Sequence, residues 1–178
     1  MFPVGRVLSV ITIQDKLSLT VLRTAVKEME LAKEDIDELF QIAKNMIATA
    51  KKYSGIGLAA NQVAIMKRMF VFYDPRIQDF RVILNPRIEE VSGMKETYEG
   101  CLSIPVFTVL HPVFVVKRPA LLKLTFEELL PDKSITFGSE WFSEINVNGE
   151  QYDLPSIIMH EIDHLNGILL IDREVSVV

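Results

Sequence analysis

The chain has 178 residues, of which 49% are hydrophobic and 24% charged, with a formal net charge of -5 and a pI near 5.3. This suits a single domain over residues 1–178 that buries its core without disulfides. The acidic balance excludes the basic footprint of a nucleic-acid binder. No stretch is apolar enough to span a bilayer, and the first residues, Met1 to Arg6, are not organised as a signal peptide. A cytoplasmic protein is expected, or an organellar one from which an address has been removed.

The first thirty residues are mixed, with extended and short helical pieces. A helix is predicted from about Lys33 to Lys52, where Ile36, Leu39, Phe40, Ala43, Met46, Ile47 and Ala50 share one face at 3.6-residue spacing. Glu34, Asp35 and Asp37 favour its N-terminus, Lys51-Lys52 its C-terminus, and Gly55 its stop. A β-rich middle follows. Arg68–Tyr73, Arg81–Asn85, Val113–Lys117, Leu121–Phe126 and Ile145–Val147 read as short strands. Asp74-Pro75, Asn85-Pro86, Ser92-Gly93 and Asn148-Gly149 punctuate them. Pro119 argues against one continuous central strand across Val113–Phe126. A second helix is predicted from about Leu154 to Asn166, with Asp153 as N-cap, Pro155 in the first turn and Gly167 as the stop.

That second helix carries His160-Glu161-Ile162-Asp163-His164. Residues i and i+4 share a helical face about 6 Å apart along the axis, so both imidazoles can meet one ion. Glu161 then stands where a carboxylate can act as general base without ligating the metal. The bland alternative is a polar surface helix, which Ile157, Ile158 and Leu165 argue against. A metal site with catalytic capacity needs a third protein ligand and an open position. The zincin variant with a third histidine downstream fails, because Leu170 occupies that position. Glu174 is the only later glutamate, and no second helix fits after it.

The third ligand must therefore come from upstream, where the chain offers one cysteine and one further histidine. Cys101 is the better candidate, since a thiolate binds borderline and soft divalent ions strongly. A lone cysteine is ordinarily a small buried hydrophobe. His111 is the rival, but beside Pro112 and between apolar runs it reads as a loop or core histidine.

Three segments in this order carry a family resemblance. They are Gly55-Ile56-Gly57-Leu58-Ala59-Ala60-Asn61-Gln62, Glu99-Gly100-Cys101-Leu102-Ser103 and His160-Glu161-Ile162-Asp163-His164. The chain resembles the peptide deformylases from about Leu8 to Asp172. The resemblance implies an α+β fold, with antiparallel β-sheets packed around the metal-binding helix and an N-terminal amphipathic helix. It implies hydrolytic removal of the N-formyl group from the formyl-methionine of nascent polypeptides, releasing formate. Cys101, His160 and His164 would hold one divalent ion, Fe2+ in most of the family, with Zn2+, Ni2+ or Co2+ as substitutes. Glu161 would move the proton, while the Gln62 amide and the Leu102 backbone N–H would stabilise the oxyanion.

By the same resemblance, Gly55, Ile56, Gly57, Leu102 and Ile157 would line the slot for the methionine side chain. Glu99 would pair with Arg118 of Val116-Lys117-Arg118-Pro119 and hold the cysteine loop. Asp163 reads either as support for the ligands or as a solvated helix acid. The expected partners are N-formylmethionyl peptides and nascent chains, with a transient ribosome contact, no nucleic acid, no membrane and a monomeric state. Segments 104–117 and 127–154 look longer than is usual in the family, and the first lacks an arginine that many bacterial members place after the cysteine motif. The competing readings are a metalloprotease, resting on the helix motif alone, and a non-catalytic or altered-specificity metal-binding protein of the same fold.

Overall fold

The computed structural model describes residues 1–104 and 113–177. His111 and most of the 104–117 segment lie outside the described residues. The elements are α1 (Lys16–Leu22), α2 (Ile36–Lys52), β1 (Gly57–Ala59), β2 (Met69–Asp74), β3 (Asp79–Glu99), β4 (Phe114–Leu129), β5 (Ile135–Val147), β6 (Glu150–Asp153), α3 (Leu154–Leu165) and β7 (Glu174–Val177). Short 3-10 turns lie at Leu31–Lys33, Ala60–Val63 and Leu170–Asp172. The strands follow one another in the order β1 to β6, all pairs antiparallel, with β7 added to β4. This is the expected α+β architecture.

The helix boundaries follow from local chemistry. The Asp35 side chain accepts from the Asp37 and Glu38 amides and starts α2. Asp153 does the same for α3 through the Ser156 amide. At the far end of α3, Gly167 is left-handed at φ +72, and its N–H donates to the His164 carbonyl. A Cβ there would also meet the Arg23 carbonyl oxygen at 2.4 Å, so both conformation and contact require glycine.

The strands are longer than their sequence signals. Asn85-Pro86 and Ser92-Gly93 are not turns; both lie inside the single strand β3. Asn85 adopts φ 45 beside a register shift between Leu84 and Arg87, and its amide bonds the Met29 backbone twice. These are local kinks in a paired ladder. Pro119 also fails to break β4, which runs through it while pairing Met94 of β3. On its other side β4 is partnered by β7 only at Phe114–Val116 and by β5 only from Leu121 onward. Pro119 thus occupies a local edge, where a missing donor is tolerated. The segment 127–154, longer than is usual in the family, is largely the ordered strands β5 and β6.

Strand β2 is buried on both faces, and its alternation separates two cores. Met69 and Val71 join Leu39, Ala43, Met46 and Ala50 of α2. Phe70 and Phe72 join Leu122, Leu124, Phe126 and Phe142 against Leu154, Ile157, Ile158, Ile162 and Leu165 of α3. Each fully buried Phe contributes about 1.5–3 kcal/mol, and Phe72→Ala should cost about 3–5 kcal/mol. This packing fixes one face of α3 and so sets where His160, Glu161 and His164 stand, with the Glu161 carboxylate against Gly57 of β1. Among the described residues no helix is long and apolar enough to cross a membrane.

Candidate metal centre

Three separate segments meet beside α3. The 55–62 segment runs from the end of α2 through β1 into the 3-10 turn. The 99–103 segment leaves the end of β3. The N-terminal chain straps the two from behind: the Ile11 amide donates to the Gln62 carbonyl at 2.8 Å and the Ile13 amide to the Ser103 carbonyl at 3.0 Å.

Cys101 Sγ lies 3.2 Å from His164 Nε2, and the two imidazole centroids are 4.9 Å apart. One ligand atom from each of Cys101, His160 and His164 falls within 4.8 Å of the others. The donor set is one thiolate and two imidazoles, which suits a borderline divalent ion and leaves a coordination position open. The electrostatics agree. Burial alone would push the Cys101 thiol up, but positive charge on His164 and hydrogen bonds from both imidazoles hold it well below its ordinary value. The ionised thiolate is the form of cysteine that binds a metal. These residues fit a bound metal.

Beneath His160 lies a buried ionic network. His160 Nδ1 is 2.9 Å from Glu99 Oε2, which assigns Nε2 to the metal side. Glu99 takes a two-point hydrogen bond from Arg118, at 2.7 and 2.9 Å. The Ser156 hydroxyl adds a bond to Glu99 at 2.7 Å. Arg118 is 1% exposed and also reaches Asp163 at 2.6 Å. Arg173 covers the other oxygen of Asp163 at 2.9 Å. Asp163 is therefore a member of this network and not a solvated acid. Burial opposes ionisation of Glu99, yet Arg118 and His160 hold its carboxyl well below the ordinary range.

Glu161 is 3% exposed, and its Oε2 has no hydrogen-bond partner among the described residues. Burial pushes its pKa up, positive charge on His160 and His164 opposes this, and the charges of Cys101 and Glu99 add to it, giving about 7. A buried carboxylate with a free oxygen and a pKa near neutrality suits proton transfer. Gln62 Oε1 accepts from the Ala59 amide at 2.8 Å, which leaves its NH2 facing Ser103 Oγ at 3.2 Å and Cys101 Sγ at 3.8 Å. The amide is thus oriented as a donor toward the centre.

These groups open into one pocket of about 740 Å³. Gly55, Ile56, Gly57, Gln62, Cys101, Leu102, Ile157, His160 and Glu161 all line it, while His164 lies below, 1% exposed. Ile56 is half exposed, so it forms rim rather than core. Tyr53, Tyr98 and Tyr152 also border the pocket. No local pattern marks them, nor Ser156 or Arg173, because their roles depend on which strands become neighbours.

The family model described as polypeptide deformylase matches residues 7–177. A peptide deformylase of Dictyoglomus thermophilum is 34% identical over 158 residues, 88% of this chain and 88% of that protein. One from Clostridium botulinum is 35% identical over 158 residues, 86% of this chain and 90% of that protein. A class I type b peptide deformylase of Acinetobacter baumannii, crystallised with Met-Ala-Ser bound, superposes with a TM-score of 0.75 at 28% identity, covering 95% of this chain and 99% of that one.

Proposed function

The chain belongs to the polypeptide deformylase family, and we propose that it hydrolyses the N-formyl group of N-terminal formyl-methionine, releasing formate and a free amino terminus. The observation that carries this reading is the convergence of Cys101, His160 and His164 within 4.8 Å, on a pocket that also holds the proton-accepting Glu161 and the donor amide of Gln62. Cys101, His160 and His164 would hold one divalent ion. When bound, such an ion supplies Lewis acidity, lowering the pKa of a water and polarising a carbonyl.

The chain's own residues account for the rest. Glu161 accepts the proton of the attacking water at its free oxygen as the C–O bond forms, then delivers it to the departing amine as the C–N bond of the formamide breaks. The Gln62 NH2 and the Leu102 backbone N–H donate to the oxygen that gains negative charge. Ile56, Leu102 and Ile157 give the methionine side chain an apolar slot, with Gly55 and Gly57 allowing close approach of the substrate backbone. Glu99 holds the His160 ring. The family resemblance supports Fe2+ as the ion, with Zn2+, Ni2+ or Co2+ able to replace it. It also supports a cytoplasmic or organellar monomer meeting nascent chains near the ribosome.

The test is formate release from a formyl-Met peptide by protein reconstituted with Fe2+ under reducing, oxygen-poor conditions. Turnover is expected, and Glu161→Ala should abolish it while the metal stays bound. A metal-loaded protein that releases no formate would overturn the reading.

A further inference from the structure

The two histidines of the centre are supported unequally. His160 gives its Nδ1 to the Glu99 carboxylate at 2.9 Å. His164 turns its Nε2 toward Cys101 Sγ, so a metal-facing Nε2 leaves the ring proton on Nδ1. That Nδ1 is buried and has no partner among the described residues. Histidines that ligate metals ordinarily donate this second N–H to an acceptor, which fixes tautomer and ring orientation.

Asn61 offers the complement. It is 0% exposed, and its Nδ2 donates to the His164 backbone carbonyl at 2.6 Å. The orientation of the amide is settled by that contact, because a carbonyl only accepts. Asn61 Oδ1 is then a buried acceptor without a partner among the described residues, a state that costs stability if left unmet. The unmet donor and the unmet acceptor belong to two residues that already share a hydrogen bond. No apolar side chain at position 61 would carry this cost, so packing alone does not explain the residue.

We infer that Asn61 is the positioning residue for His164, as Glu99 is for His160. Its amide oxygen takes the His164 Nδ1–H through one bound water. The inference rests on the metal-site reading above. It gives the 3-10 turn at Ala60–Val63 two tasks: Gln62 faces the cysteine loop, and its neighbour Asn61 fixes the second imidazole. A neutral amide behind His164 and a carboxylate behind His160 also make the two nitrogens unequal ligands.

The experiment compares Asn61→Val with Asn61→Thr, which are alike in shape and branching but differ in one hydroxyl that can both donate and accept. Each protein is titrated with Co2+ against a competing chelator, its visible absorption is recorded, and kcat and KM are measured separately. Asn61→Val should weaken Co2+ binding about 10- to 100-fold, shift the Co2+ bands and lower kcat with KM unchanged. Asn61→Thr should keep most of the wild-type affinity and spectrum. Equal behaviour of the two variants, or wild-type affinity and spectrum in Asn61→Val, overturns the inference.

A readout on the wild type serves where the variants fold poorly. The Zn2+-loaded protein should show an exchange-protected His164 Nδ1–H resonance coupled in space to the Asn61 side-chain amide, and its absence overturns the inference. Failure of the wild type to bind Co2+ would instead overturn the metal-site reading, and this inference with it.

Discussion

The substitution Gly57→Ala isolates the position of Glu161 from everything else in the centre. A Cβ built on Gly57 lies 2.3 Å from Glu161 Oε1, 3.0 Å from its Cδ and 3.2 Å from its Cγ. Ordinary contact is restored only if the carboxylate retreats by about 1 Å, a misplacement that commonly costs on the order of 10²-fold in rate. The backbone of Gly57 is an ordinary β1 conformation, and the obstructing group is the end of a side chain, so the fold and the three candidate metal ligands should survive. We expect kcat to fall about 100-fold, equivalent to about 2.7 kcal/mol of barrier, with metal content and thermal midpoint near wild type. Gly55→Ala is the internal control. Its nearest neighbour is Leu102 Cδ1 at 3.3 Å, which a small side-chain shift relieves, so kcat should change only a few-fold. Steady-state formate release on metal-matched preparations measures both. A Gly57→Ala enzyme within about threefold of wild type would refute the placement of Glu161 as the proton carrier, because the expected 10²-fold loss follows directly from its displacement.

Arg118→Met leaves Glu99 and Asp163 buried without their cation and should destabilise the metal-free protein by about 3–5 kcal/mol, read from urea unfolding; a loss under about 1 kcal/mol would contradict the network. Glu99 is held below its ordinary pKa of 4.5 in the folded chain, so the unfolded chain binds that proton more tightly. Its stabilising contribution is therefore present above about pH 4.5 and lost as the pH falls below it. The urea midpoint of metal-free protein should drop over that range, and Glu99→Gln should flatten the drop; an unchanged profile would count against it. Chelation should lower the thermal midpoint, and Zn2+ at about 100 times its Kd should restore about 2.7 kcal/mol. Cys101→Ser should lose most of that recovery, and full recovery would argue against Cys101 as a ligand.

What was legible in the sequence is what local chemistry decides. Asp35, Asp153 and Gly167 mark helix ends because each acts on backbone groups within a few residues. The i, i+4 histidines share a face for the same reason. Strand lengths were not legible. Asn85-Pro86 and Ser92-Gly93 have turn composition, yet neighbouring strands hold them in a continuous ladder. The first part of β5 is hard to read because Phe137 and Trp141 face outward while Gly138 and Phe142 share the inner side. That glycine serves a distant contact: a Cβ there would sit 2.5 Å from two ring atoms of Phe126. The motif segments named the groups at the centre, but not what holds them. Ser156, Arg173 and the strap at Ile11 and Ile13 act across long sequence separations, where no periodicity or spacing reports a contact.

The network behind the helix also bears on why the centre is built from charge. Replacing a buried ion pair by apolar side chains of similar volume is often neutral or stabilising, so Arg118 at 1% exposure is a poor device for stability alone. Its geometry serves another end. The planar guanidinium engages both oxygens of Glu99 and one of Asp163, and so ties the end of β3, the first part of β4 and the ligand helix into one rigid unit. Glu99, fixed in that way, presents a single oxygen to His160 Nδ1. A hydrophobic core would pack α3 as tightly but would leave the imidazole free to rotate. Ring orientation, set by a carboxylate that is itself held from two sides, is what the ionic network adds.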